Sequence, residues 1–107
     1  MLIFLCFFAY FQHFIDLVPN ENGFGHMQDW LLLEKFKHLS EVDDLFEMWG
    51  SKRTSATLDV TNPESIEFVK SLYDDFLPHS KSKYFNMNFD EPFELGHGKS
   101  KDLVEIM

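Results

Sequence analysis

The feature that most constrains the fold is a strong helix signal in the second half of the chain, between runs of strand-forming residues. Residues 61–64 (TNPE) supply a capping side chain, a proline at the first helical position and an acid in the first turn. The helix is predicted to reach about Leu77, because Pro78 cannot continue it. Its predicted apolar face holds Ile66, Val69, Leu72, Tyr73, Phe76 and Leu77, and its opposite face holds Glu67, Lys70 and Asp74.

Three short runs rich in β-branched and aromatic residues predict strands on either side of this helix. Residues 14–19 (FIDLVP) predict a buried strand that leads into a polar loop, and residues 57–60 (TLDV) predict a shorter one. Residues 84–89 (YFNMNF) alternate apolar and polar side chains, as in a strand with one apolar face. Residues 27–33 have helical character, and a further helix is expected near Ser100. This order is typical of βαβ units in a parallel sheet.

Composition indicates a globular protein and excludes several classes of function. The 107 residues are 45% apolar, enough for one domain with a core, and the formal charge is −9 without a basic cluster. Nucleic acid is therefore not an expected partner. The single Cys6 excludes an internal disulfide, and the five histidines lack the spacing of metal ligands, so we predict no metal and no other cofactor. The polar connection 34–56 is expected to be an ordered loop with short helical pieces, and Trp30 is expected in the core.

The N-terminal run 1–11 (MLIFLCFFAYF) is apolar but shorter than the roughly 20 residues of a membrane span. No positive charge precedes it, and no small-residue cleavage site follows it. We expect residues 1–12 to be a core helix or a truncated start. A signal peptide or membrane anchor is the alternative; membrane association is not expected, and a cytoplasmic location is favoured.

Two polar clusters follow the predicted strands, where active sites of parallel α/β proteins lie. The first runs from Asn20 to His26, and the second is Asp90 with Glu91. Adjacent strand residues point to opposite faces, so these two acids can serve one site only if the chain turns between them, as Pro92 permits. One acid would then protonate a leaving oxygen while the other stays ionised, which suits glycosidic bond cleavage. The other interpretation is a solvated turn, the commoner case for such a pair.

Both clusters resemble strand-end segments of the catalytic barrel of glycoside hydrolase family 20, the β-N-acetylhexosaminidases. Residues 18–26 (VPNENGFGH) resemble the family's I-P-E-I-D-x-P-G-H segment, and residues 84–91 (YFNMNFDE) resemble its strand ending H-x-G-G-D-E. VPNENGFGHM and the FxxxxDExxELGxGxS pattern of residues 85–100 are similar to a bacterial branch. The resemblance covers nearly the whole chain after residue 14.

The resemblance implies a role for each acid. Glu91 would be the general acid/base, and Asp90 would hold the 2-acetamido group of the substrate, whose own carbonyl oxygen attacks the anomeric carbon. His26 matches the histidine of the family's P-G-H sequence, which lies near the general acid. Asn22 stands where the family has Asp, Asn86 where it has His, and Asn88-Phe89 where it has Gly-Gly.

Further residues are predicted to support the site. Asn22 and Asn88 are candidate hydrogen-bonding residues, and for Asn88 an interior structural role is favoured over substrate contact. Trp49 is either a sugar-stacking platform or, as its apolar neighbours favour, part of the packing or of a lid. Glu94 either borders the sugar or shapes the loop after the catalytic strand.

By this resemblance the fold is α/β, roughly half of a (β/α)8 TIM barrel, with parallel strands and flanking helices over residues 13–107. A complete barrel needs about 250 residues. The expected function is removal of terminal N-acetylglucosamine or N-acetylgalactosamine from a carbohydrate substrate, with the isolated chain inactive. The alternatives are a non-catalytic carbohydrate-binding or interaction remnant and a small membrane-anchored protein. Self-association through exposed barrel edges is a further expectation.

Overall fold

The computed structural model describes residues 12–107, so the expectations attached to residues 1–11 lie outside the described part of the chain. Within residues 13–107 three α-helices are present: α1 (Gln28–Leu31), α2 (Pro63–Phe76) and α3 (Lys101–Ile106). Single 3-10 turns occur at Lys37–Leu39 and Leu77–His79, and two strands pair, β1 (Phe46–Met48) and β2 (Ser51–Arg53). Helices were expected at all three α positions, and those predictions are confirmed. No helix within residues 12–107 combines the length and the apolar content that a membrane crossing requires.

Helix α2 begins where the capping signal places it. The side chain of Asn62 accepts a hydrogen bond from the backbone N–H of Glu64 at 3.0 Å, and Pro63 is the first helical residue. A cap of this kind stabilises a helix by about 1 kcal/mol. The α-helix ends at Phe76, and the chain makes one 3-10 turn through Pro78 before it becomes extended. The predicted start and end of the helix are therefore confirmed.

The hydrophobic core lies between α2 and the segments that precede it. Its buried members are Met27, Leu31, Leu39, Leu58, Phe68 and Val69. Trp30 packs edge-on against Phe36 and Phe68, with ring centroids 5.9 and 5.6 Å away, which confirms its place in the core. The predicted helix face was wrong at two positions, because Ile66 is 65% exposed and Leu77 is 40% exposed, while Phe68 is buried. Phe68 faces the core because the aromatic rings of Trp30 and Phe36 lie on that side of α2.

A two-stranded antiparallel hairpin lies in the stretch that was predicted to be a loop with helical pieces. Phe46 pairs with Arg53 and Met48 with Ser51, across a two-residue turn. Both turn residues have left-handed backbones, Trp49 at φ 52° and Gly50 at φ 74°. This is the geometry of the tight turn that best fits the twist of a hairpin. The prediction missed the hairpin because tryptophan is not one of the residues that usually signal such a turn.

The segments predicted as the first and last strands run alongside each other. The N–H of Asn86 donates to the carbonyl of Pro19 at 3.0 Å, and the N–H of Glu21 donates to the carbonyl of Asn86 at 3.2 Å. One further bond, from Gly23 N–H to the carbonyl of Asn88, measures 3.4 Å. The contact is a single parallel bridge, and the only regular sheet within residues 12–107 is the antiparallel hairpin. Roughly half of a (β/α)8 barrel therefore stays a prediction.

Three details of the predicted strands are corrected. The expectation of a buried strand at residues 14–19 is wrong, because Phe14 is 100% exposed and, in this stretch, burial begins only at Pro19. Residues 57–60 form a single bridge, between Leu58 and Ser40, rather than a strand. Phe89 on the expected apolar face is about half exposed, although its ring packs edge-on against Phe24.

Candidate active site

The parallel contact brings two loops together, which we name the first site loop (residues 20–26) and the second site loop (residues 88–91). The two loops lie close together at Gly25. A methyl group on Gly25 would collide with the backbone carbonyl of Asp90 and would lie 3.1 Å from the carbonyl carbon of Glu91. Only glycine allows the two backbones to lie this close. The sequence had placed both loops at strand ends, and the structure brings them side by side.

The imidazole of His26 lies between the two acids of the second site loop. Its Nε2 is 3.2 Å from Oε2 of Glu91 and 3.6 Å from Oδ2 of Asp90, so it contacts both carboxylates. The three side chains are 39%, 55% and 53% exposed for His26, Glu91 and Asp90. Exposed ion pairs of this kind stabilise a fold by only about 0–1 kcal/mol. The cluster therefore contributes little to stability, and its interest is chemical.

Both acids reach the same histidine because the backbone turns sharply at Glu91. Its φ of 50° is left-handed, and so are those of His26 at 58° and Asn88 at 49°. Residues other than glycine adopt this conformation in only a few per cent of cases, at a cost of about 1 kcal/mol or more. Such residues concentrate at functional sites, where the surrounding contacts hold them in place. The turn that the sequence required between Asp90 and Glu91 is therefore present.

Two asparagines connect the loops beneath this cluster. The Asn88 amide donates to the side-chain oxygen of Asn22, and the Asn22 amide donates to the backbone carbonyl of His26 at 3.5 Å. Asn22 therefore contacts the main chain of His26 and not its ring. The backbone N–H of Asn88 also donates to the side-chain oxygen of Asn86 at 3.2 Å. These hydrogen bonds hold the two site loops in register. The roles of Asn22 and Asn88 toward a substrate stay predictions.

Glu94 is buried and anchors the chain after the second site loop. Its Oε1 accepts a hydrogen bond from the backbone N–H of Ala56 at 2.8 Å, and its Oε2 accepts one from the hydroxyl of Thr57. Hydrogen bonds to a charged group each stabilise by about 1.5–3 kcal/mol. Of the two roles open for Glu94, these contacts match the one that shapes the loop.

A cleft of about 430 Å³ separates the His26 cluster from the hairpin. His26, Glu91 and Glu94 line it together with Phe46, Met48, Trp49, Arg53 and Phe93. The ring of Trp49 is 75% exposed, lies 5.2 Å from the ring of Phe93, and has the guanidinium of Arg53 5.6 Å above it. Sites for small molecules have volumes of about 300–1,000 Å³, so the cleft is large enough for one sugar ring. Trp49, for which packing was favoured, is exposed and lines the same cleft as Glu91.

Sequence reasoning missed a second buried acid. Glu41 is fully buried, and its Oε1 accepts hydrogen bonds from the Ser100 hydroxyl at 2.7 Å and from the Ser100 and Gly98 N–H groups at 3.0 and 3.2 Å. Glu41 therefore holds the loop that follows the second site loop at Gly98 and Ser100, and Glu94 holds the same loop nearer its start. A glutamate in a polar stretch usually lies at the surface, so composition gave no signal for it. Arg53 and Phe93 were also missed, since they reach the cleft through the hairpin and the turn at Glu91.

The chain is similar over most of its length to two glycosidases. It is 32% identical to lacto-N-biosidase of Bifidobacterium bifidum over 77 residues, which are 72% of this chain. It is 29% identical to hexosaminidase D of Bos taurus over 87 residues, which are 80% of this chain. The chain is thus a distant, partial relative of hexosaminidase-type enzymes. It spans only 6% and 22% of the length of these two relatives. No protein-family model matches the chain.

Proposed function

We propose that this chain supplies the acid pair of an exo-acting β-N-acetylhexosaminidase of the glycoside hydrolase family 20 type. Its substrate is a terminal N-acetylglucosamine or N-acetylgalactosamine residue of a glycan. The observation that carries the proposal is the meeting of His26 with Glu91 and Asp90 at the junction of two loops that resemble the site loops of that family. The similarity to lacto-N-biosidase and hexosaminidase D supports the same class of chemistry.

Each acid has a distinct role in the proposed reaction. Asp90 orients the 2-acetamido group so that its carbonyl oxygen forms a bond to the anomeric carbon while the glycosidic C–O bond breaks. Glu91 gives its proton to the departing oxygen. In the second step it takes a proton from the water that attacks the anomeric carbon, and the bond between that carbon and the acetamido oxygen breaks. Because the substrate provides the nucleophile, no further carboxylate is needed for the first step.

His26 acts as a positioning residue in this scheme. Its Nε2 lies 3.2 Å from Glu91, so the imidazole restricts the orientation of the carboxyl group that must reach the glycosidic oxygen. The rings of Trp49 and Phe93, with centroids 5.2 Å apart, provide an apolar surface in the cleft, against which the face of a sugar ring can stack. A bound sugar would also cover the two acids, which are about half exposed without it.

The scaffold that we propose is roughly half of a (β/α)8 barrel. The hydrogen bonds from Asn86 and Glu21 run between parallel segments, and the acids follow the end of one segment as in barrel enzymes. About 250 residues are needed to close such a barrel. We therefore expect the chain alone to bind substrate weakly and to hydrolyse it slowly or not at all.

The test is release of 4-nitrophenol from 4-nitrophenyl N-acetyl-β-glucosaminide. The chain is assayed alone and extended with the coding sequence that flanks it, each as wild type and as Glu91→Gln. The matched control is Glu64→Gln, because Glu64 also pairs with a histidine, His38, at 2.8 Å. We expect hydrolysis in the extended protein, its loss in Glu91→Gln and its retention in Glu64→Gln.

Two other outcomes would overturn the proposal in different ways. N-acetylglucosamine binding without hydrolysis in every form, unaffected by Glu91→Gln, would favour the non-catalytic carbohydrate-binding alternative. Neither binding nor hydrolysis in any form would exclude both functions.

A further inference from the structure

We propose that His26, Asp90 and Glu91 together bind a divalent transition-metal ion, for which zinc has the best chemistry. Each of these residues offers one ligand atom, and the three atoms lie within 4.8 Å of one another. The spacing of the histidines in the sequence predicted no metal site. The tertiary structure changes this expectation, because the nitrogen ligand and the two oxygen ligands come from different site loops.

Two of the three distances between the ligand atoms lie close to those of tetrahedral zinc. Ligand atoms about 2.0–2.2 Å from a tetrahedral zinc ion lie roughly 3.3–3.6 Å from one another. Nε2 of His26 lies 3.2 Å from Oε2 of Glu91 and 3.6 Å from Oδ2 of Asp90. The two carboxylate atoms lie within 4.8 Å of each other, and rotation of these half-exposed side chains would bring all three atoms onto one ion.

The charges of the site favour a dication. Two carboxylates lie close together beside one imidazole, in a chain whose formal charge is −9. Like charges at this separation repel one another, and a divalent ion between them removes that repulsion. The exposure of the three side chains leaves a fourth position for water, as in zinc sites with three protein ligands.

The donor set selects the class of metal. A neutral imidazole nitrogen suits zinc and its neighbours in the transition series, whereas calcium and magnesium take oxygen ligands, usually six or more. Zinc and the glycosidic oxygen would compete for the same Oε2 of Glu91. Zinc is therefore expected to inhibit hydrolysis, an expectation that rests on the proposed function.

Zinc binding is measured by isothermal titration calorimetry at neutral pH and without sugar. Every form carries Cys6→Ser, so that the thiol cannot act as a ligand. We expect one high-affinity site in the wild-type background. We expect the affinity to fall at least about tenfold in His26→Asn, Asp90→Asn and Glu91→Gln, since even the loss of a supporting residue costs about that much. Asparagine is chosen at His26 because it tolerates a left-handed backbone.

The matched control is His38→Asn, which removes a histidine that faces a single carboxylate at 2.8 Å. It should leave the zinc affinity unchanged, and a hundredfold excess of magnesium should not displace the zinc. Equal affinity in wild type and His26→Asn would overturn the proposal, as would an equal loss in His38→Asn. Circular dichroism of each variant checks that the isosteric changes at Asp90 and Glu91 keep the fold.

The zinc site and the proposed function fail separately. Loss of zinc affinity in Glu91→Gln with hydrolysis retained would support the metal site and overturn the catalytic role of Glu91. Loss of hydrolysis in Glu91→Gln without zinc binding in any form would do the opposite.

Discussion

Two histidine–carboxylate pairs in this protein differ in ways that their distances do not show. His38 lies 2.8 Å from Glu64, closer than the 3.2 Å between His26 and Glu91, and both pairs are partly exposed. The His38 pair joins a 3-10 turn to the first turn of α2 and faces one carboxylate. The His26 pair has a second acid beside it, and both of its members have left-handed backbones.

The comparison shows that a short contact does not make a site by itself. The His38 pair connects two elements that regular local structure already holds in place, so a surface ion pair explains it fully. At His26 the chain adopts an unfavourable backbone at three positions and relies on the close approach at Gly25. Unfavourable backbone conformations of this kind persist where surrounding contacts hold them in place, and they concentrate at functional sites.

The largest expected difference between the pairs is in catalysis. In an active form of the protein, Glu91→Gln should lower the rate of 4-nitrophenyl N-acetyl-β-glucosaminide hydrolysis by about 10²- to 10⁴-fold, the usual contribution of a general acid. Glu64→Gln should leave kcat and KM unchanged within error. Equal losses in both variants would remove the distinction between the two pairs.

Gly25→Ala is expected to disturb the His26 site through a backbone contact. The added methyl group meets the carbonyl of Asp90, so the two site loops must separate, and the free energy of unfolding should fall by about 1–3 kcal/mol. Zinc affinity should fall with it, because the ligands sit on both loops.

Gly50→Ala is the control for this change. Gly50 has open space around it and a φ of 74°, so alanine should cost only about 1–2 kcal/mol through the backbone and should leave zinc affinity intact. Urea unfolding and zinc titration of both variants check the prediction. Unchanged stability and unchanged zinc affinity in Gly25→Ala would show that the two site loops have room for a methyl group at Gly25, which would contradict the close approach to Asp90.

Double-mutant cycles should give both pairs a small coupling energy. For His26 with Glu91 and for His38 with Glu64, the coupling in the free energy of unfolding is expected to be about 0–1 kcal/mol, as for other exposed pairs. Replacement by Asn at each histidine and by Gln at each acid completes the two cycles. A coupling well above this range at His26 alone would make it a structural ion pair and weaken the argument for a chemical role.

The smallest effect is expected at alkaline pH. Burial and, to a lesser degree, the nearby Glu21 raise the pKa of Tyr73, whose hydroxyl donates to the carbonyl of Met87 at 3.3 Å. Because the pKa is higher in the folded state, this contribution to stability is complete below about pH 10 and is lost as the pH rises through the folded pKa.

Thermal unfolding across this pH range checks the prediction with two variants. Tyr73→Phe should remove the part of the alkaline loss that comes from Tyr73, and Glu21→Gln should reduce it, which would couple the first site loop to α2. An identical alkaline loss in wild type and Tyr73→Phe would show that other groups are responsible.

The parts of the fold that were predicted correctly have local causes. The start of α2 depends on Asn62 and Pro63 alone, and its end depends on Pro78, so neighbours in the chain determine both. The need for a turn between Asp90 and Glu91 also followed from the geometry of a strand. The choice of Phe68 over Ile66 for the core was missed because it depends on where Trp30 and Phe36 lie.

The sequence by itself determined the central helix, the acid pair after the last extended segment and the similarity to hexosaminidase-type enzymes. Each of these resides in adjacent residues or in the order of residues along the chain. Only the tertiary structure decided that His26 meets both acids, that Trp49 and Glu91 line one cleft, and that Glu41 and Glu94 are buried and hold the chain through hydrogen bonds. These contacts depend on hydrogen bonds and close backbone approaches between segments distant in sequence, which no local pattern specifies.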